Sequence, residues 1–288
     1  MSNKNVYQLI AEKMSSMSKS QEKLASYILQ NTNTVPFYTV ATLAKQAGVS
    51  EASVVRFAVF LGYSGYRELQ NQMQNSVQMQ LTTKDRLKMS SQIYDDSNQA
   101  IYDIFKDDIA NIKSTMENLD SKAIADAGNH LLNGKKIYIS ANRSATSLGL
   151  FLQYYLDIIL GNAHLLGPVE NKPEQLYALN AEDVVVGISF SRYSTSTVNI
   201  MDFAKERGAA TIVITDNLLS PLVPHGDAVL TASSQLPTFF DSFVAPLSLI
   251  NTLIAYVGKN RMNESEDRLE KLEGIWERFG TFYSDKRK

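Results

Sequence analysis

Apolar residues recur at helical spacing along the first 75 residues or so of this chain. The spacing predicts four helices, which begin near residues 20, 39, 51 and 66. Residues suited to cap or end these helices stand at the matching positions: Ser20, Gly48, Ser50 and Gly62. The front of the chain is therefore predicted to form an all-α bundle.

The pattern changes near residue 98, where short apolar runs begin to alternate with amphipathic stretches. The apolar runs predict five strands: 135–140, 163–166, 183–189, 210–216 and 227–232. The amphipathic stretches predict helices: 101–116, a helix opened by Asp120, 144–160, 173–178, 195–207, 239–258 and 264–280. Strands that alternate with helices indicate a parallel sheet covered on both faces.

These two patterns predict a two-domain chain, which suits a length of 288 residues. The fold class expected is an all-α bundle over 1–78 followed by an α/β domain over 98–288, with a five-stranded parallel sheet and flanking helices. Residues 79–97 are rich in Gln, Ser, Asn and Asp, and poor in large apolar side chains. We interpret that segment as a linker or the frayed end of a helix.

The net charge also differs between the front and the back of the chain. Residues 1–90 hold ten Lys or Arg and five Asp or Glu, a net charge of +5, so a total of −2 leaves −7 for the remainder. A basic front on an acidic body is expected where only the front meets a polyanion.

Composition excludes several classes of site. The chain has no cysteine, so disulfides and thiolate metal sites are unavailable, and no His/Asp/Glu cluster suggests a metal. The first 16 residues lack the apolar stretch of a signal peptide, and the apolar stretch near 249–257 is too short to cross a bilayer. We expect a cytoplasmic protein without a membrane span, metal or cofactor.

The segment from Thr39 to Leu61 has the features of a helix-turn-helix. Gly48 suits the tight turn, Val49 is expected to insert between the helices, and Val54 and Val55 to dock the second helix. The residues then predicted to contact double-stranded DNA are Lys45, Ser50, Glu51, Ala52, Ser53 and Arg56. The alternative is a helical hairpin for protein contacts, which would make the chain an adaptor without a DNA role.

Two loops after predicted strands are unusually rich in hydroxyl groups, one at 141–147 and one at 189–197. In an open parallel sheet, ligands bind beyond the carboxyl ends of the strands, and hydroxyls at helix N-termini form anion sites. The predicted ligand-binding residues are Asn142, Arg143, Ser144, Ser189, Ser191, Arg192, Ser194 and Thr197. The alternative is that the serines and threonines only cap helices and that the arginines form structural ion pairs.

Together these motifs resemble the RpiR family of transcriptional regulators. The front is similar to its helix-turn-helix domain in these pieces: Thr39, Leu43–Ala44, Gly48–Val49–Ser50, Ser53–Phe57 and Leu61–Gly62–Tyr63. The back is similar to its SIS (sugar isomerase) domain in these: Arg143–Ser144, Gly187–Phe190, Arg192–Ser194, Phe203–Ala209, Ile214–Asp216, Leu219–Leu222 and Phe239–Ser242. The chain departs from the SIS pattern at Ala141, Ala145 and Arg192, and its recognition helix continues with Ala58–Val59–Phe60, where the family often has polar or basic residues.

The resemblance implies a flavodoxin-like strand order and a regulator of sugar metabolism. It implies that a phosphorylated sugar binds the SIS domain and alters DNA affinity. It also assigns the phosphate to the hydroxyls of Ser144, Ser189, Ser191 and Ser194. DNA half-sites in two-fold arrangement need a homodimer or a homotetramer, which we expect to form through the outer helices of the acidic body.

A sugar-phosphate isomerase is the rival function, and it would need an acid–base pair beside the sugar. The three histidines, His130, His164 and His225, lie outside both loops. Glu170 and Glu174 follow the second predicted strand, but no acid–base pair is evident. We therefore expect a sensor with no catalytic residues.

Overall fold

The structure, a computed structural model, describes residues 6–78, 82–93, 98–167, 173–236 and 238–283. Its contacts divide the chain into two compact units. Unit 1 comprises Met1–Ile104 with Pro237–Phe240, and unit 2 comprises Phe105–Leu236 with Asp241–Lys288. The two units are described separately below.

All regular secondary structure in the described part of unit 1 is helical. The helices are α1 (Val6–Lys13), α2 (Lys19–Gln30), α3 (Val40–Ala47), α4 (Glu51–Leu61), α5 (Tyr66–Gln78), α6 (Thr83–Ile93) and the start of α7 (Asn98–Glu117). The first of them was not predicted. The predicted Ser20 cap is wrong: α2 begins two residues earlier, and the Ser18 N–H donates to Gln21 Oε1 over 2.9 Å. The core of unit 1 is built from fully buried side chains of α1–α5: Ile10, Leu24, Ile28, Leu43, Phe57, Leu69 and Met73.

Helix α6 lies inside the segment interpreted as a linker. Thr82 and Asp85 stabilise its first turn reciprocally, because the Asp85 N–H donates to Thr82 Oγ1 and the Thr82 hydroxyl donates to Asp85 Oδ2. The hydroxyl and the backbone N–H of Thr82 both donate to the Asp85 carboxylate and hold its pKa below its usual value. Residues 83–93 are therefore helical, whereas residues 79–81 and 94–97 lie outside the described residues.

Unit 2 is an α/β domain. Its strands are β1 (Ile137–Ala141), β2 (Ala163–Leu165), β3 (Val184–Ile188), β4 (Ala210–Thr215) and β5 (Ala228–Thr231). Its helices, besides the rest of α7, are α8 (Ser121–Asn133), α9 (Thr146–Leu160), α10 (Thr195–Glu206), α11 (Val244–Asn260) and α12 (Met262–Phe279). All strand pairs are parallel, in the order β2-β1-β3-β4-β5, which confirms the expected fold class and strand order.

Successive side chains of each strand point to opposite faces of the sheet, and both faces are covered. On one face Ile137 and Ile139 of β1 pack with α8, α9 and α11, and on the other Tyr138 and Val185 pack with α10. Strand order reverses between β1 and β3, whose last residues, Ala141 and Ile188, are paired. The two hydroxylic loops therefore leave the sheet side by side, at the position where open α/β sheets bind ligands.

Candidate functional site

The loop that follows β3 is ordered by its own hydroxyl groups. The Ser194 N–H donates to Ser189 Oγ over 3.0 Å, and Ser194 Oγ in turn accepts from the Thr197 N–H at 3.4 Å, as the N-cap of α10. From β4, the Thr215 hydroxyl donates to the Ser189 carbonyl over 2.8 Å. These bonds fix the loop against the end of the sheet and aim the first turn of α10 at the space beyond it.

Asn142 joins the two hydroxylic loops. It is the first residue after β1, and its side-chain Nδ2 donates to Thr197 Oγ1 over 2.9 Å. Thr197 is fully buried in the first turn of α10. The end of β1 and the start of α10 are thus bonded into one structure, which is what a site shared between the two loops requires.

The hydroxyl groups at this edge of the sheet differ in whether they donate a hydrogen bond within the protein. Those of Ser189, Ser194 and Thr197 each accept a bond, and none of the hydrogen bonds of the described residues has one of them as donor. In contrast, the Thr146 hydroxyl donates to the Ala141 carbonyl and that of Ser147 to the Ser144 carbonyl. The hydroxyl hydrogens of Ser189, Ser194 and Thr197 are therefore not used in hydrogen bonds within the described residues.

Each hydroxylic loop contains an arginine in the left-handed backbone region. Arg143 has φ of 58° and Arg192 has φ of 65°, and they are the only non-glycine residues of the described chain with positive φ. This conformation costs an L-residue about 1–2 kcal/mol. Such strain concentrates at functional sites, where the surrounding structure maintains it.

A buried carboxylate anchors the second loop. The Tyr193 hydroxyl donates to Asp216 Oδ1 over 2.7 Å, and Asn217 Nδ2 donates to the Tyr193 oxygen over 3.2 Å. Burial raises the pKa of Asp216, and nearby Asp241 adds to that rise, whereas the bond from Tyr193 opposes it. Asp216 was not among the predicted site residues, although its place directly after β4 is a signal that sequence carries.

The structure brings together four of the predicted ligand-binding residues by hydrogen bonds: Asn142, Ser189, Ser194 and Thr197. Arg143, Ser144 and Arg192 are exposed beside them and Ser191 is half-buried. No hydrogen bond within the described residues joins the Ser144 or Ser191 side chain to this group. Sequence reasoning missed Ser196, whose Oγ is buried without a hydrogen-bond partner in the first turn of α10.

The predicted turn in unit 1 has the expected geometry. Gly48 ends α3 in the left-handed region with φ of 66°, and Val49 packs against the core. Ser50 begins α4, since its Oγ accepts from the Ser53 N–H at 3.2 Å. The residues predicted to contact DNA all lie outside the core: Lys45, Ser50, Glu51, Ala52 and Arg56 are exposed and Ser53 is half-buried. Arg56 Nη2 donates to Ser53 Oγ at 3.4 Å.

One prediction about α4 is wrong. Val55 does not dock the helix, because its side chain is 42% exposed. The buried residues of α4 follow helical spacing from Val54 (Val54, Phe57, Ala58 and Leu61), and this stripe leaves Val55 outside. Val59, one turn later, is exposed as well. The outward face of α4 therefore carries apolar groups next to Ala52 and Arg56, and apolar groups contact thymine methyls in the major groove.

These two sites define a class of protein: a helix-turn-helix regulator with an α/β domain behind it. Comparison with known families agrees, since residues 4–80 match the helix-turn-helix domain of the rpiR family and residues 130–256 match the SIS domain. An uncharacterized HTH-type transcriptional regulator of Caldanaerobacter subterraneus subsp. tengcongensis is 30% identical over 92% of this chain and 95% of its own length. The chain belongs to the rpiR family of transcriptional regulators.

Other proteins are similar to large parts of this chain. The HTH-type transcriptional regulator HexR of Pseudomonas aeruginosa is 26% identical over 74% of this chain and 73% of its own. The Vibrio vulnificus NanR protein, solved in complex with ManNAc-6P, superposes with a TM-score of 0.56 over 96% of this chain and 99% of its own, at 20% identity. The sugar isomerase domain of an RpiR transcription factor from Sphaerobacter thermophilus gives 0.59 over 61% and 99%, at 23% identity. Both structures share the fold.

The relatives are named as regulators, in agreement with the expectation of a non-enzymatic protein. His130 lies in α8, His164 lies in β2, and His225 Nδ1 lies 3.2 Å from a carboxylate oxygen of Asp202. Glu174 is exposed, and Glu170 lies outside the described residues. The described part of the chain contains no group of His, Asp or Glu side chains that could hold a metal ion, and no helix long and apolar enough to span a membrane.

Proposed function

We propose that this regulator binds operator DNA with an affinity that a sugar phosphate controls from the site between residues 142–147 and 189–197. The observation that carries the proposal is the set of three hydroxyls, on Ser189, Ser194 and Thr197, that accept bonds from the protein and keep their own hydrogens to donate. A phosphate oxygen accepts such bonds and has no hydrogen of its own to place.

The surroundings of these hydroxyls favour negative charge. Helix α10 has 12 residues and no acidic residue in its first turn. No carboxylate of that turn therefore offsets the positive charge that its free N–H groups and its dipole present to the site. Exposed Arg143 and Arg192 lie in the same two loops. The site therefore suits a phosphorylated ligand better than a neutral sugar.

The class of ligand is supported by a protein of the same fold. Vibrio vulnificus NanR was solved with ManNAc-6P, and its fold matches nearly the whole of this chain. We infer that a hexose phosphate is the ligand class here. The left-handed arginines take room and add charge in both loops, so this chain is expected to have its own preference among such sugars.

The DNA contact is assigned to the exposed residues of the turn and of α4: Lys45, Ser50, Glu51, Ala52, Ser53 and Arg56. Helix α4 would enter the major groove with its N-terminal residues at the base edges, while α3 crosses the phosphate backbone. The net charge of +5 on residues 1–90 supplies the electrostatic part of the binding. Two half-sites call for a homodimer or a homotetramer.

Linkage between the two sites is the test. A sugar phosphate that changes operator affinity must have its own affinity changed by operator DNA by the same factor, typically about 5–150-fold. We would titrate ManNAc-6P into the full-length protein by calorimetry, alone, with saturating DNA from upstream of its own gene, and with scrambled DNA. N-acetylmannosamine and inorganic phosphate are the controls. Equal affinity in all three titrations would refute the proposed control of DNA binding.

Arg143→Gly should separate stability from ligand binding. Glycine adopts the left-handed conformation without cost, so the variant should gain roughly 1 kcal/mol of unfolding free energy. Its affinity for a sugar phosphate should nevertheless fall about tenfold, because a charged hydrogen bond is lost. Thermal denaturation and calorimetry on the same samples would show both effects. A stabilised variant with unchanged ligand affinity would mean that the Arg143 side chain does not contact the phosphate.

A further inference from the structure

Helix α4 carries two stripes of residues with the same helical spacing. The inner stripe packs in the core of unit 1 and consists of Val54, Phe57, Ala58 and Leu61. A second stripe begins two residues earlier, is exposed along its whole length, and consists of Ala52, Val55, Arg56 and Val59. Residues at this spacing share one face of a helix. These last four residues are called the outer stripe of α4 below.

The valines of the outer stripe are not explained by the fold of the chain. Val55 and Val59 are 42% and 55% exposed, so they contribute little to the core. Valine is also a poorer helix former than alanine, lysine or glutamate, because its branched Cβ restricts the side chain against the preceding turn. The outward face of a surface helix is ordinarily polar. The two valines therefore suit a surface that covers this face of the helix.

The charges around the valines favour DNA as that surface. Arg56 lies between Val55 and Val59 on the outer stripe, and residues 1–90 have a net charge of +5. An apolar protein surface that covered both valines would also remove the guanidinium from water, which is costly. The major groove instead offers acceptors to an arginine and thymine methyls to apolar side chains. Glu51, at the start of the same helix, can accept from the amino group of cytosine.

We propose that Val55 and Val59 determine operator specificity by contacting the 5-methyl groups of two thymines in each half-site. The inference rests on the proposed function, which places α4 in the major groove, and deepens it by naming the base feature that is recognised. The two valines are four residues apart, which is a rise of about 6 Å along the helix. Base pairs are stacked about 3.4 Å apart, so the two thymines should lie one or two base pairs from each other.

Replacing thymine with uracil tests the proposal on the DNA, because it removes the 5-methyl group and keeps the hydrogen-bonding groups of the base. The natural full-length chain would first select operator duplexes from a random DNA pool. Single thymines of the selected operator are then replaced one at a time, and affinity is measured by gel-shift titration. We expect two positions in each half-site at which uracil weakens binding about fourfold, the effect of one buried methyl group. The other thymines should tolerate uracil without loss.

Substitution of the valines tests the same contact on the protein. The double variant Val55→Ser, Val59→Ser should bind the thymine operator on the order of tenfold more weakly and lose nothing further when uracil replaces the two sensitive thymines. Leu87→Ser, on α6 with an exposure of 55%, is the matched control and should keep the full effect of uracil. Because both valines are exposed, the thermal unfolding of the double variant, followed by circular dichroism, should match that of the natural chain.

The possible results separate this inference from the proposed function. Specific operator binding that is insensitive to uracil at every position would overturn the inference and leave the proposed function standing. A double variant that loses as much affinity to uracil as the natural chain does would also overturn it, since the methyl groups would then act through other residues. Unchanged operator affinity in the double variant would assign the outer stripe to a protein partner instead. A selection that enriches no sequence would refute operator binding itself, and this inference with it.

Discussion

A chain carrying Ser189→Ala together with Ser194→Ala is expected to bind a sugar phosphate roughly 100-fold or more weakly than the natural chain. The two hydroxyls donate to a dianion in the proposed complex, and a hydrogen bond to a charged group contributes about 1.5–3 kcal/mol. Operator binding without ligand should persist, because both residues belong to unit 2. Calorimetry gives the first quantity and a gel-shift titration the second.

Ser147→Ala is the matched control for that experiment. Its hydroxyl lies at the same edge of the sheet but already donates to the Ser144 carbonyl over 2.8 Å, so its loss should leave ligand affinity within about threefold. Ser194 also caps α10, and losing a cap costs about 0.5–2 kcal/mol of stability. The melting temperature of the double variant therefore has to be measured as well. If Ser147→Ala lost as much ligand affinity as the double variant, this would contradict the proposal that hydroxyls without an acceptor in the protein donate to the phosphate.

Phe57→Ala is expected to lower the unfolding free energy of unit 1 by about 3–5 kcal/mol. The ring is fully buried between the helices of the front domain, where a truncated side chain leaves a cavity. A loss of that size would lower the melting temperature of a domain of this length on the order of 20 °C. Operator binding should weaken accordingly at elevated temperature, while sugar-phosphate affinity stays as it was.

The single tryptophan makes this measurement domain-specific. Trp276 lies in α12 of unit 2, so its fluorescence follows unit 2 in urea, while far-UV circular dichroism follows the helices of both units. Phe57→Ala should add an early dichroism transition and leave the fluorescence midpoint in place. Val59→Ala, two residues along the same helix and 55% exposed, is the control and should shift neither signal. A fluorescence midpoint that moves with Phe57→Ala would show that the two units unfold together.

Much of the α/β domain was predictable because its five strands are short, apolar and rich in β-branched residues. Runs of this kind are typical of strands in a parallel sheet covered on both faces, and few other structures fit them. That the two hydroxylic loops lie close to each other then follows from the order of the strands. What sequence did not contain was the bond from Asn142 to Thr197, since it depends on where α10 starts relative to β1. Sequence likewise offered no means to tell which hydroxyls use their hydrogens internally.

Two features of the front domain have simple physical causes. Val54 and Val55 are both apolar, and local sequence does not decide which one lies on the stripe; the spacing to Phe57, Ala58 and Leu61 selects Val54. The segment at 82–93 was interpreted as a linker or the frayed end of a helix because its composition is polar, and the structure describes a helix there. Its helix is started by a reciprocal cap of Thr82 and Asp85, and a cap of this kind needs no apolar side chain.

The bond between Asn142 and Thr197 depends on an amide nitrogen. An amide can donate to the threonine oxygen and so leave the threonine proton pointing elsewhere. An aspartate at 142 has no hydrogen to give, and it would reverse the bond by drawing that proton toward itself. It would also place a negative charge beside the proposed phosphate. The exchange of one nitrogen for one oxygen would thus leave the shape of this edge nearly unchanged and make it repel the proposed anionic ligand.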